Sequence, residues 1–145
     1  MLNDDVRSWL GKTFDHDYGT DSYVMPHNAA GAWLVEPKAL ASMWSDTCLM
    51  NLRRLTMETF STLDFAADIM RDGVKKPIII DGTETDRVKK FEIVDGYHRI
   101  IAAGTVGVKV PVCLIDMSAK GKKPSKRLIK DFLEAVYSKK VKVTE

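Results

Sequence analysis

No apolar run in this 145-residue chain approaches the roughly 20 residues that would span a bilayer. The opening stretch, MLNDDVRSWLGKTFDHDYG, turns acidic at once and has no apolar h-region, so no secretory leader is expected. Cysteine is scarce. Cys48 and Cys113 stand far apart without a C-x-x-C spacing, which excludes a disulfide framework and a zinc frame and predicts reduced thiols in a cytoplasmic protein. No repeat recurs with a period of about 20 to 50 residues, so a solenoid is excluded. Net charge is also small, with Lys+Arg 22 against Asp+Glu 20, or +2. What remains, 45% hydrophobic and 29% charged residues, is the composition of one folded domain with a core.

The small net charge conceals a gradient. Residues 1–36 carry two basic and six acidic side chains, net −4; residues 37–116 carry eleven of each; residues 117–145 carry nine basic and three acidic, net +6. The chain accordingly divides into an acidic extension over 1–32, a neutral domain over 33–117, and a basic linker with an amphipathic helix over 118–145.

Along the chain, Leu2, Val6, Trp9 and Leu10 have helical spacing, and Asp15 to Pro26 reads as loop. Trp33-Leu34-Val35, stopped by Pro37, predicts a first strand. Residues 38–60 lack a clean period and fit a broken helix or a helix followed by an ordered loop. Ser61-Thr62-Leu63-Asp64 is a capping-box pattern opening a helix that Gly73 ends. Ile78-Ile79-Ile80 predicts a buried strand, Thr83 to Lys90 a solvated hairpin-like connection, and Phe91 to Val94 the next strand. His98 to Val106 predicts a helix in which Gly104 permits close packing and Gly107 is the stop. Val110 to Ile115 predicts another buried strand. Lys126 to Lys139 sets Leu128, Ile129, Phe132, Leu133, Val136 and Tyr137 at helical spacing. The fold class expected is α/β, in the α+β sense of a small mixed sheet with flanking helices.

The chemically informative stretch is Asp95-Gly96-Tyr97-His98-Arg99, where a strand ends and a helix begins at once. First-turn N–H groups and the positive end of the helix dipole favour an anion, and glycine allows its close approach. Arg99 sits where the dipole disfavours a cation by a few tenths to ~1 kcal/mol, which points to a bound anion. His98 adds a second donor. The alternative reading is an internal pair, with His98 or Arg99 satisfied by a carboxylate such as Asp95.

These features occur in a recognisable order: Phe65-Ala66-Ala67-Asp68-Ile69-Met70-Arg71-Asp72-Gly73, then Lys76-Pro77-Ile78-Ile79-Ile80, then Ile93 through Ala103, then Val110-Pro111-Val112. Over about 55 residues the chain resembles the ParB/sulfiredoxin superfamily. The resemblance implies a nucleotide-binding domain that holds phosphates through Gly96, Tyr97, His98 and Arg99, with Lys75 and Lys76 as further contacts or simply a solvated pair. Tyr97 stands where sulfiredoxins carry their redox cysteine, so sulfinic-acid reduction is not expected. The Gly-Glu-Arg-Arg turn of the chromosome-partition branch is absent, and too few residues follow Ile115 for that branch's DNA reader and dimerisation domain. The Asp-Gly-x-His-Arg form is closer to the free-serine-kinase-like and ParB-like nuclease branches. Phosphotransfer or hydrolysis of ATP or another nucleotide with Mg2+ would then use Asp95 or Glu36 as base, with His98 beside them.

Two further readings stand beside this one. Lys120, Lys122, Lys123, Lys126 and Arg127 could grip nucleic-acid phosphates without reading bases, as in a DNA-associated nuclease or accessory protein. A catalytically inactive interaction or structural module, with a protein partner, would keep the fold alone. Asp15, His16, Asp17, Asp21 and His27 match no metal-ligand frame and read as a solvated acidic loop; Arg53 and Arg54 read as surface charges, and Cys48 and Cys113 as core residues.

Overall fold

The computed structural model describes residues 13–15, 22–24, 28–61, 63–74, 76–83, 89–119 and 122–144. Strands β1 (Thr13–Asp15) and β2 (Ser22–Val24) pair antiparallel as a separate two-stranded sheet. The main sheet contains β3 (Ala30–Val35), β4 (Ile78–Gly82), β5 (Phe91–Asp95) and β6 (Val110–Ile115), in the order β3-β6-β4-β5. β4 and β6 run parallel, while β3 and β5 are antiparallel to their neighbours. A 3-10 helix (Pro37–Met43), α1 (Asp46–Met50), α2 (Leu52–Thr59), α3 (Leu63–Asp72), α4 (Tyr97–Val106), a short 3-10 turn (Met117–Ala119) and α5 (Lys126–Thr144) complete the described chain. The fold is α+β, the class expected: a four-stranded mixed sheet with flanking helices.

The two central strands read as continuous Ile/Val runs because both of their faces are covered. Ile78, Ile80, Val110, Val112 and Leu114 point into the main core, and the alternate residues Ile79, Cys113 and Ile115 are buried as well. β3 starts at Ala30, earlier than the Trp33-Leu34-Val35 run indicates, because Ala30, Gly31 and Ala32 carry little strand signal of their own. The ambiguous stretch 38–60 resolves into three short helical pieces. Ser45 caps α1 by accepting from the Cys48 N–H (3.2 Å), and Asn51, at φ −104°, ψ 17°, separates α1 from α2. The Ser61 hydroxyl donates to Glu58 O (2.8 Å) at the end of α2; the remainder of the expected capping box includes Thr62, which lies outside the described residues. Also outside them are the helical spacing at Leu2 to Leu10 and most of the Thr83–Lys90 connection. The ends of that connection close as a hairpin would, with Thr83 N donating to Lys90 O at 3.1 Å.

The composition change at residue 118 does not mark a detached segment. Leu128, Phe132 and Val136 of α5 belong to the main core, where Phe132 meets Trp33 and Phe91 at ring-centroid separations of 5.8 and 5.3 Å. Lys90 pairs with Asp131 at 2.5 Å, and the Tyr137 hydroxyl donates to Leu34 O.

Gly104 needs a different explanation from the close packing expected of it. It is exposed, and a Cβ there would meet nothing nearer than Pro37 Cβ at 3.7 Å, an ordinary van der Waals contact. Gly104→Ala is therefore expected to stabilise the protein by about 0.5–1 kcal/mol through helix propensity. A thermal melt should show a rise of about 2 °C; a fall would mean that α4 requires the glycine.

Candidate functional site

β3 and β5 run in the same direction, so Glu36 and Asp95 emerge at the same end of the sheet. The 3-10 helix after β3 crosses this end to pack on α4 and β5. β6 and β4 lie between β3 and β5, however, and three interstrand steps separate the two carboxylates by on the order of 14 Å. They do not form a catalytic pair.

β5 passes directly into α4 through Gly96, whose φ of +113° is a conformation that disfavours any side chain. A Cβ there would also stand 2.5 Å from Ile78 Cδ1. Gly96 is the N-cap of α4 and supplies no side-chain cap to its first-turn N–H groups. Ile100 N donates to Gly96 O (3.0 Å), the first closed turn of the helix.

Arg99 departs from the expected phosphate contact. Its side chain is 3% exposed and turns inward, donating from Nη1 to Pro77 O (2.6 Å) and from Nη2 to Asp95 Oδ2 (2.8 Å). One guanidinium thus fastens the start of β4 to the end of β5 and holds the Gly96 turn from beneath. The i−4 spacing of Asp95 was the sequence signal for this pair. The same bond removes Asp95 from the role of unengaged base.

Tyr97 is also structural. Its hydroxyl donates to Ile93 O (2.9 Å) and accepts from Ser45 N–H (3.0 Å), while its ring meets Trp44 edge-on at 4.8 Å. Burial raises the phenol pKa above its ordinary value, the Ser45 hydrogen bonds opposing the shift. Trp44 is further fixed by Lys89, which donates to its carbonyl and pairs with Asp46 at 3.1 Å. Tyr97 therefore links the turn to the junction between the 3-10 helix and α1, a role invisible in the linear motif.

Within residues 96–99, His98 alone has a side chain that is not buried; it is 19% exposed, and its Nε2 lies 3.4 Å from Glu58 Oε1 of α2. Lys76 is partly buried, and Lys75 lies outside the described residues. Lys122, Lys123, Lys126 and Arg127 are exposed before and within the first turn of α5, and Lys120 lies outside the described residues. His16, Asp17, Asp21 and His27 are likewise outside them; among the described residues no group of three or more His, Cys, Asp or Glu is placed to hold a metal ion. No described helix is long and apolar enough to cross a membrane.

The two thiols differ sharply. Cys113 is fully buried in β6, and desolvation pushes its pKa up to about 12, whereas Cys48 in α1 is partly exposed. Brief iodoacetamide treatment of the folded protein at neutral pH is expected to alkylate Cys48 and spare Cys113, as read by peptide mass spectrometry. Equal labelling would contradict the packing of β6.

No family model matches this chain, and no curated protein or solved structure matches it.

Proposed function

We propose that this chain is a nucleotide-binding module of ParB/sulfiredoxin-like build, and that it binds without an assembled catalytic set. The phosphate is taken at the start of α4 by first-turn N–H groups and by His98, which exchanges Glu58 for the ligand. The observation that carries this reading is the β5–Gly96–α4 junction: a helix start without a side-chain cap, next to a histidine that reaches solvent. The order of elements around it, helix, Pro-Ile strand, strand, glycine turn, helix, Val-Pro-Val strand, is the order that the resemblance implies. Arg99 and Tyr97 hold the turn in shape and do not touch the ligand.

Catalysis is left out of the proposal because the acids are committed elsewhere. Asp95 is engaged by Arg99, and Glu36 stands at the opposite edge of the sheet. Any Mg2+ would be carried chiefly by the phosphate oxygens. The protein would act where nucleotide is sensed or held, and a cytoplasmic setting suits that role.

Thermal-shift and calorimetric screening against ATP, ADP, CTP and GTP, with and without Mg2+, tests the reading. At least one nucleotide is expected to raise Tm, and His98→Ala should remove most of that rise while leaving the unliganded melt within about 2 °C of wild type. If none of the four binds, the nucleotide reading is wrong. The inactive-module alternative would then be the better account of the fold.

A further inference from the structure

The outward face of α2 does not look like a solvated helix surface. Leu55 and Thr59 point inward and are buried, but the outward side presents Met57 (66% exposed) with Arg53 and Arg54, and Met50 (87%) at the end of α1 adjoins them. A solvated face at these positions would ordinarily be polar. The four residues line a shallow concavity of about 640 Å³ together with Asn51, Glu58 and Ser61. On the other flank of α2, an apolar cleft of about 360 Å³ is lined by Pro37, Trp44, Leu49, Leu52 and Ile101. Leu49 and Leu52 are both substantially exposed at its rim. Two adjoining concavities thus share one short helix, and both carry large apolar side chains in contact with solvent. Patches of this kind mark interaction surfaces, and methionine adapts its shape to a docked chain.

Charge indicates what kind of chain. Glu58, which faces His98, is the one acid lining the concavity, while Asp46 pairs with Lys89, and Asp68 and Asp72 pair with Arg71 at 2.8 and 3.0 Å. Among the described residues Arg53 and Arg54 have no ion-pair partner. With two arginines against the single carboxylate of Glu58, the concavity is apolar with a net positive centre. A nucleic-acid surface would combine such cations with aromatic platforms for stacking, but here the interleaved residues are methionines.

We infer that the α1–α2 face docks an acidic amphipathic helix of a protein partner, whose apolar anchors enter the cleft beside Leu49 and Leu52 and whose carboxylates meet Arg53 and Arg54. This is the helix-in-groove mode of recognition, in which spaced apolar anchors supply affinity and flanking charges supply orientation. The inference does not rest on the nucleotide reading, although Glu58, which faces His98, lies in the lining of the concavity.

The test uses the full chain and two fluorescein-labelled synthetic helical peptides with the same leucine frame at i, i+3, i+4 and i+7. One peptide carries glutamate on its polar face and the other lysine. Fluorescence anisotropy is expected to show the acidic peptide binding at least tenfold more tightly than the basic one. Arg53→Glu combined with Arg54→Glu should reverse that preference, and because both side chains are exposed the doubly substituted protein should keep the wild-type melt. Met57→Gln should weaken both peptides.

Equal binding of the two peptides, or an unchanged preference after charge reversal, would overturn the inference. So would a concentration-dependent dimer that Met57→Gln abolishes, which would make a second copy the occupant. Tight binding of an oligonucleotide that charge reversal abolishes, with neither peptide bound, would assign the face to nucleic acid and also overturn it.

Discussion

Arg99→Ala is expected to destabilise the unliganded protein by about 3 kcal/mol, the lower end of what breaking a buried ion pair costs. The low end applies because Asp95 keeps partial access to water, whereas Arg99 is buried. Loss of the guanidinium removes the donor described for Pro77 O and the cation described for Asp95. The sign separates two accounts of this residue. If Arg99 were an exposed phosphate ligand at the positive end of α4, removing it would leave the unliganded protein unchanged or slightly more stable, by a few tenths to ~1 kcal/mol. Urea unfolding distinguishes a large loss from a small gain without any ligand. A double-mutant cycle with Asp95→Asn should give a coupling energy of about 1 kcal/mol or more.

Phe132→Ala should be more damaging still, at about 3–5 kcal/mol. Phe132 is among the largest fully buried side chains and fills the space between Trp33 of β3 and Phe91 of β5, the two edge strands of the main sheet. Against a domain stability of roughly 5–15 kcal/mol, a loss of this size should lower Tm by about 10 °C. A basic tail merely appended to the domain would tolerate the change, so a melt within about 2 °C of wild type would contradict the docking of α5.

The parts of the fold that could be read in sequence are those governed by local chemistry. Ile78-Ile79-Ile80 reads as a buried strand, Gly73 and Gly107 end their helices with φ of +76° and +81°, and the Asp95–Gly96 step marks the strand-to-helix turn. Residues 38–60 were legible only as broken because long-range contacts help fix the breaks: Tyr97 accepts from Ser45 N–H, and Lys89 holds Trp44 and Asp46. The α5 stripe announced an amphipathic helix, but not that Phe132 would bridge Trp33 and Phe91.

The site was legible as a position and misleading as a set of contacts. Gly96 occupies the expected turn, and His98 keeps some exposure. Arg99 was open to two readings, an anion compensating a cation at the positive end of the helix dipole or an internal pair with Asp95, and the side chain takes the second. Its burial depends on Pro77, twenty-two residues earlier in the chain, whose carbonyl completes the seat that Asp95 begins. Glu36 reached the right end of the sheet, but strand order decides distance, and that order follows from the crossover placing β6 between β3 and β4. Of the α1–α2 face only the surface charges Arg53 and Arg54 were legible, because methionines and arginines along two short helices carry no motif.

The central claim is that the start of α4 binds nucleotide phosphate through its first-turn N–H groups and His98, on a turn held from beneath by Arg99. Backbone amide NMR of the 15N-labelled protein during titration with ATP, ADP, CTP and GTP in turn tests it most directly. The account predicts saturable shifts at the amides of Tyr97 and His98, with the His98 ring signals moving in step, for at least one of the four. Titrations that leave those signals unmoved while saturating elsewhere, or that move nothing, would contradict it.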